Sequence, residues 1–167
     1  KSYLKNPQPV SDNLLYGEFH ENSKHTTRMP YMKPVYDVLE KNRGKVIYFD
    51  FWARWCPPCL AEMEPLKQLR SKFSTDDLII YSICVSEPKE QWEECLNEYS
   101  LKNRGIECVH VTDYLGIDNY QKIRKQWKID RMPYYVLINR KGQIIDFGTA
   151  ARPSNPQLVS RIEEAVK

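Results

Sequence analysis

The segment Val46-Ile47-Tyr48-Phe49-Asp50-Phe51-Trp52-Ala53-Arg54-Trp55-Cys56-Pro57-Pro58-Cys59 constrains this chain more than any other. Its first half is a run of Val, Ile and aromatic residues, which favour a pleated, half-buried or buried strand. Beyond it, Leu60, Met63, Leu66, Leu69 and Phe73 recur at helical spacing. The two cysteines therefore fall where a strand hands over to the N-terminus of a helix. Unpaired backbone N–H groups and the helix dipole favour an anion at that place. A thiolate is such an anion, and the thiolate is the form that attacks a disulfide. Spacing and position together predict a redox-active pair.

Cys-x-x-Cys is also half of a zinc site. A structural zinc would need a second such pair or a His-x3-His partner, and the chain has neither. Five cysteines are too few for a disulfide scaffold. Cys84 lies in an apolar strand and Cys95 on the apolar face of a helix, so both read as small buried hydrophobes. Cys108 starts a strand, which leaves a Cys95–Cys108 bridge open and makes Cys108-x-His110 a weak metal motif. A net charge of +3 with no Lys/Arg cluster argues against nucleic acid. The apolar runs are short strands, too short to span a membrane. The chain starts at Lys1 without a signal peptide, so it reads as processed or as a piece of something longer.

A chain of 167 residues, 41% hydrophobic, suits one domain. Residues 1–33 are polar and irregular and read as an N-terminal extension or linker; His20 and His25 in it read as solvated, and Leu14-Leu15-Tyr16 as a short strand or packing patch. Residues 34–167 read as the folded domain. A helix is expected over Pro34–Asn42, a strand over Lys45–Phe51, and one long helix over Pro57–Phe73 kinked at Pro65. There follow a buried strand Leu78–Val85, a helix Pro88–Leu101, a strand Glu107–Val111 and a helix Ile117–Trp127. Tyr134–Ile138 and Gln143–Phe147 flank the turn signal Asn139-Arg140-Lys141-Gly142, and a helix Asn155–Val166 closes the chain. Alternating strands and helices ending in a hairpin and helix predict an α/β fold, a central mixed β-sheet flanked by helices on both faces.

Asp50-Phe51-Trp52-Ala53-x-Trp55-Cys56-x-x-Cys59 resembles the active-site segment of thioredoxin-fold oxidoreductases. Pro57-Pro58 and Met132-Pro133 make the chain most similar to the TlpA/ResA-like extracytoplasmic thiol-disulfide reductases, over roughly residues 35–167. The resemblance implies a thioredoxin-like fold and an enzyme reducing protein disulfides with no cofactor beyond the Cys56–Cys59 pair. It also implies a monomer in an extracytoplasmic setting such as the bacterial periplasm, anchored to the membrane by a segment outside this chain. Electrons would come from a membrane-embedded or soluble dithiol donor; apocytochrome c is one family client among several. One departure concerns the helix proline, which thioredoxins place five residues after the second cysteine and this chain places six after it. Peroxiredoxins have Thr or Ser three residues before their cysteine; here Ala53 stands there.

Cys56, expected exposed at the N-cap, is the candidate nucleophile, and Cys59, one turn on and more buried, the resolving thiol. Asp50 shares a strand face with Val46 and Tyr48 and is expected in an apolar setting with Phe51, where burial raises its pKa. By resemblance it would deprotonate Cys59 through a water. Met132-Pro133 matches the family's cis-proline loop, which implies substrate contacts from Met132, Pro133 and Tyr134. Trp55 would wall the site, with Trp52 either beside it or in the core. Pro57 and Pro58 remove two N–H donors from the helix start, which destabilises the thiolate and predicts a reducing couple. A disulfide oxidase or isomerase differs from this reading only in potential and partner. A module holding copper or another soft cation on the two thiolates is a third reading.

Overall fold

The structure is a computed structural model that describes residues 30–167 and the backbone of a two-residue strand, β1, Gln8–Pro9. The expectations for His20, His25 and Leu14–Tyr16 lie outside the described residues. A 3-10 turn, Pro30–Met32, leads into α1, Lys33–Lys41. Then follow β2, Val46–Trp52; α2, Pro57–Ala61; α3, Met63–Lys72; β3, Leu78–Cys84; and α4, Lys89–Glu98. The chain continues with β4, Ile106–His110; α5, Val111–Tyr114; and α6, Ile117–Trp127. It ends with β5, Tyr134–Ile138; β6, Gln143–Gly148; and α7, Pro156–Val166.

The sheet order is β1-β6-β5-β2-β3-β4. β2 runs parallel to β3, and β3 to β4, whereas β2–β5, β5–β6 and β1–β6 are antiparallel. β2 is thus the central strand, and all seven of its residues are buried. Its alternation sorts the core. Ile47, Phe49 and Phe51 face one side with Val35, Leu39, Ile123 and Trp127 of α1 and α6. Val46 and Tyr48 face the other side with Leu66, Leu69, Leu158 and Ile162 of α3 and α7. A mixed sheet with helices on both faces is the thioredoxin-like arrangement expected above.

The expected long helix is two helices. α2 stops at Ala61, and Glu62, with φ −90° and ψ 0°, joins it to α3. The cause is Pro65, which has no N–H for the Ala61 carbonyl and whose ring would clash with it. Residue 65 instead sits in the first turn of α3, where a proline costs little. The expected strand Glu107–Val111 ends one residue early: His110 accepts the Thr112 N–H through Nδ1 at 3.3 Å and caps α5, which the sequence reading lacked. Among the described residues two X-Pro bonds are cis, the expected Met132–Pro133 and the unforeseen Glu87–Pro88.

Candidate active site

Cys56 is the N-cap of α2, and Pro57 and Pro58 occupy the first helical positions. Cys56 and Cys59 form a disulfide with Cα atoms 5.3 Å apart, an ordinary separation for such a bond. The Cys59 N–H points at Cys56 Sγ at 3.3 Å, so one backbone donor faces this sulfur even though the two prolines supply none. Cys56 is only 4% exposed and Cys59 1%, which corrects the expectation of an exposed nucleophile. Cys56 lies in one buried cluster with Trp52, Ala53, Cys59 and Met63. What protrudes is the neighbouring Trp55, 68% exposed. Trp52 is a core residue whose indole N–H has no hydrogen-bond partner among the described residues.

Asp50 is 4% exposed in the middle of β2, in register with Ser82 of β3 and Tyr135 of β5. Trp52, two residues on and so on the same face of β2, packs in the cluster that holds the disulfide. Asp50 and the cysteine pair therefore belong to one side of the sheet. Phe51 projects to the opposite side, which corrects its expected place beside Asp50. Burial pushes the Asp50 carboxyl up to about 7, with Glu62 adding to the rise, while the Ser82 hydroxyl, donating to Oδ2 at 3.1 Å, pulls against it. Glu62, at the α2–α3 junction, accepts from Ser154 N–H at 2.9 Å and Ser154 Oγ–H at 2.7 Å.

Met132 is half-buried against the disulfide's cluster, and the cis Pro133 that follows is buried. The Thr149 hydroxyl donates to the Pro133 carbonyl, tying the β6–α7 loop to this peptide. Tyr134 turns away: its ring lies in the core on the α6 side, and its hydroxyl donates to the Trp127 carbonyl at 2.8 Å. Its side chain is therefore packed in the core and does not line the surface beside the disulfide.

The other cysteines are free, Cys84 and Cys95 buried and Cys108 half-buried, so the Cys95–Cys108 bridge left open by the sequence is not formed. Burial pushes all three thiols up, Cys108 to about 12, which makes them poor nucleophiles. His110 uses both ring nitrogens, Nε2 toward the Ser86 carbonyl at 2.8 Å and Nδ1 toward Thr112. Among the described residues no group of three or more His, Cys, Asp or Glu is arranged to hold a metal.

Three polar residues around the site were passed over in the sequence reading. Glu62 lies one helical turn beyond Cys59. Ser82 is the lone small polar residue in the otherwise apolar and aromatic run Leu78–Cys84, a signal for a buried polar partner. Ser86 accepts the Arg54 N–H at 2.9 Å and so fixes the loop before Cys56, which no local pattern announces.

The Redoxin family profile matches residues 33–166. The chain belongs to the Redoxin family. Among curated proteins it is 26% identical over 108 residues to the thiol-disulfide oxidoreductase ResA of Bacillus thuringiensis (strain Al Hakam), covering 65% of this chain and 57% of that protein. This Redoxin chain thus spans little more than half the length of that relative. Among solved structures it is 32% identical to a Bacteroides vulgatus protein provisionally named a thiol-disulfide oxidoreductase, with a TM-score of 0.60 over 75% of this chain and 76% of the other. It also shares the fold of the thioredoxin domain of a Bacteroides vulgatus thiol-disulfide oxidoreductase, TM-score 0.64 at 22% identity, over 77% of this chain and 84% of that one.

Proposed function

We propose that the protein is a thiol-disulfide oxidoreductase that reduces disulfides in extracytoplasmic proteins, cycling between a Cys56/Cys59 dithiol and the Cys56–Cys59 disulfide. The observation that carries the reading is the disulfide itself, at the N-terminus of α2 and beside the cis Met132–Pro133 peptide. The names of the relatives support the class of reaction, and the TlpA/ResA-like resemblance supports the extracytoplasmic setting.

In the reduced protein the Cys56 thiolate faces the Cys59 N–H and the positive end of α2, which lower its proton affinity. It attacks a client disulfide, releases one client thiolate and leaves a mixed disulfide. Cys59 then loses its proton and attacks Cys56 Sγ, which frees the second client sulfur and closes the Cys56–Cys59 bond. Two electrons and two protons pass to the client in each cycle. Asp50, with its carboxyl near 7, takes the Cys59 proton at neutral pH through a bridging water. A dithiol donor, membrane-embedded or soluble, returns the pair to the reduced state.

Trapping tests this. Reduced Cys59→Ser, mixed with a disulfide-bonded protein, should accumulate a mixed disulfide through Cys56 that survives non-reducing electrophoresis. Cys56→Ser should accumulate none. Equal trapping by the two variants, or no adduct with either, would remove the assigned roles.

A further inference from the structure

Three loops meet around the disulfide, and each carries an exposed arginine. Arg54 lies in the loop between β2 and α2, two residues before Cys56. Arg131 directly precedes Met132 and the cis Pro133, and Met132 packs against the disulfide's cluster. Arg152 lies in the loop between β6 and α7, which the Thr149 hydroxyl ties to the Pro133 carbonyl. Neighbouring groups offset these charges only in part. The Arg54 guanidinium donates to the neutral amide oxygen of Gln91 at 2.8 Å. Arg131 and Asp130 are 3.6 Å apart, with 69% and 68% of their side chains exposed, a pair that water screens almost fully. Arg152 Nε is 3.9 Å from Glu62, a long ion pair that offsets part of the Arg152 charge, while the same carboxylate accepts shorter bonds from Ser154.

Asp130 is the one acidic residue in these three loops, against Arg54, Lys128, Arg131 and Arg152. Glu87, in the neighbouring β3–α4 loop, takes a hydrogen bond from the Thr112 hydroxyl at 2.8 Å. The protein's net charge is only +3, so the surplus at this rim is a local feature and not the average of the surface. Like-signed charges around a reactive pair raise the local concentration of oppositely charged substrate and speed its encounter.

We infer that this arginine rim selects clients by charge, favouring protein disulfides whose flanking residues are aspartate and glutamate. Arg54 and Arg131 are then specificity-determining residues. The chemistry is the exchange described above: the client S–S bond takes two electrons and two protons and becomes two thiols, and the Cys56–Cys59 bond forms. The inference rests on the reading of Cys56–Cys59 as a disulfide-reducing centre.

The test uses the reduced full chain and three disulfide-bonded peptides of one length, with Asp, Ser or Lys flanking the bond. At low salt the Asp peptide should be reduced about tenfold or more faster than the Lys peptide. At about 0.5 M salt, where screening acts within a few ångströms, the ratio should fall to about twofold. Arg54→Glu combined with Arg131→Glu should bring the low-salt ratio to one or invert it. Lys72→Glu combined with Lys141→Glu, two exposed changes at the far end of α3 and in the β5–β6 turn that carry the same total charge change, should leave the ratio as it is, which separates the rim from net charge. Equal rates for Asp and Lys peptides in the unaltered protein, a ratio indifferent to salt, or an equal response to the Lys72→Glu, Lys141→Glu pair would overturn the inference. Reduction of none of the three peptides would overturn the disulfide-reducing reading itself, and the client preference with it.

Discussion

Asp50 shows how one buried carboxyl links stability to chemistry. Its folded pKa of about 7 stands above the ordinary 3.8, so the folded state holds a proton that the unfolded chain has lost between those values. Stability from this group is therefore full below about 4 and falls as pH rises toward 7. The gap corresponds to at most about 4 kcal/mol. Asp50→Asn, which keeps the oxygen facing Ser82 and cannot ionise, should be more stable than the native chain at pH 8, by a margin that closes near pH 4. Ser82→Ala removes the bond that favours the carboxylate, so its decline in stability should extend to higher pH than in the native chain. Denaturant melts across pH 4–9 on the three proteins check both; parallel curves would mean that Asp50 does not titrate there. Asp50 as a buried acid was legible from strand alternation alone, because position 50 must share a face with Val46 and Tyr48. The lone Ser82 was visible too, but its register with Asp50 is a pairing between strands 32 residues apart, which a linear reading does not contain.

Strands and helices were largely readable because their apolar periods are strong, as in α6, whose bounds Ile117–Trp127 match the expectation. The misses arise where one residue outweighs the period. Leu60, Met63, Leu66 and Leu69 keep helical spacing across residues 57–73, yet Pro65 divides the segment at Glu62. The division changes what that proline costs. In a helix interior its replacement by alanine would recover about 3 kcal/mol, but as the third residue of α3 it lacks an N–H that needs no partner there. Pro65→Ala should therefore alter stability by less than about 1 kcal/mol. A gain of several kcal/mol in thermal or urea unfolding would show that α2 and α3 behave as one strained helix. The inward turn of Tyr134 is a similar case: five consecutive buried residues in β5 give no alternation from which to tell its two faces apart.

At the scale of the whole molecule, the central strand β2 delivers Cys56 just past its C-terminal end, α2 supplies the electropositive helix end, and the cis Pro133 loop lies against the same cluster. On the reading proposed above, the pair of prolines after Cys56 tunes the redox poise toward reduction. With N–H groups absent at positions 57 and 58, the Cys59 N–H is the donor aimed at the attacking sulfur within this turn. A thiolate with few donors is poorly stabilised, and so is the reduced state, which makes the dithiol a willing electron donor. The equilibrium reduction potential of Cys56–Cys59 in a defined thiol buffer, with Cys59→Ser as the control lacking a couple, puts this reading at risk. A value near that of thioredoxin, about −270 mV, is the predicted result. A value near that of the strong oxidant DsbA, about −120 mV, would contradict it and make the protein a disulfide donor.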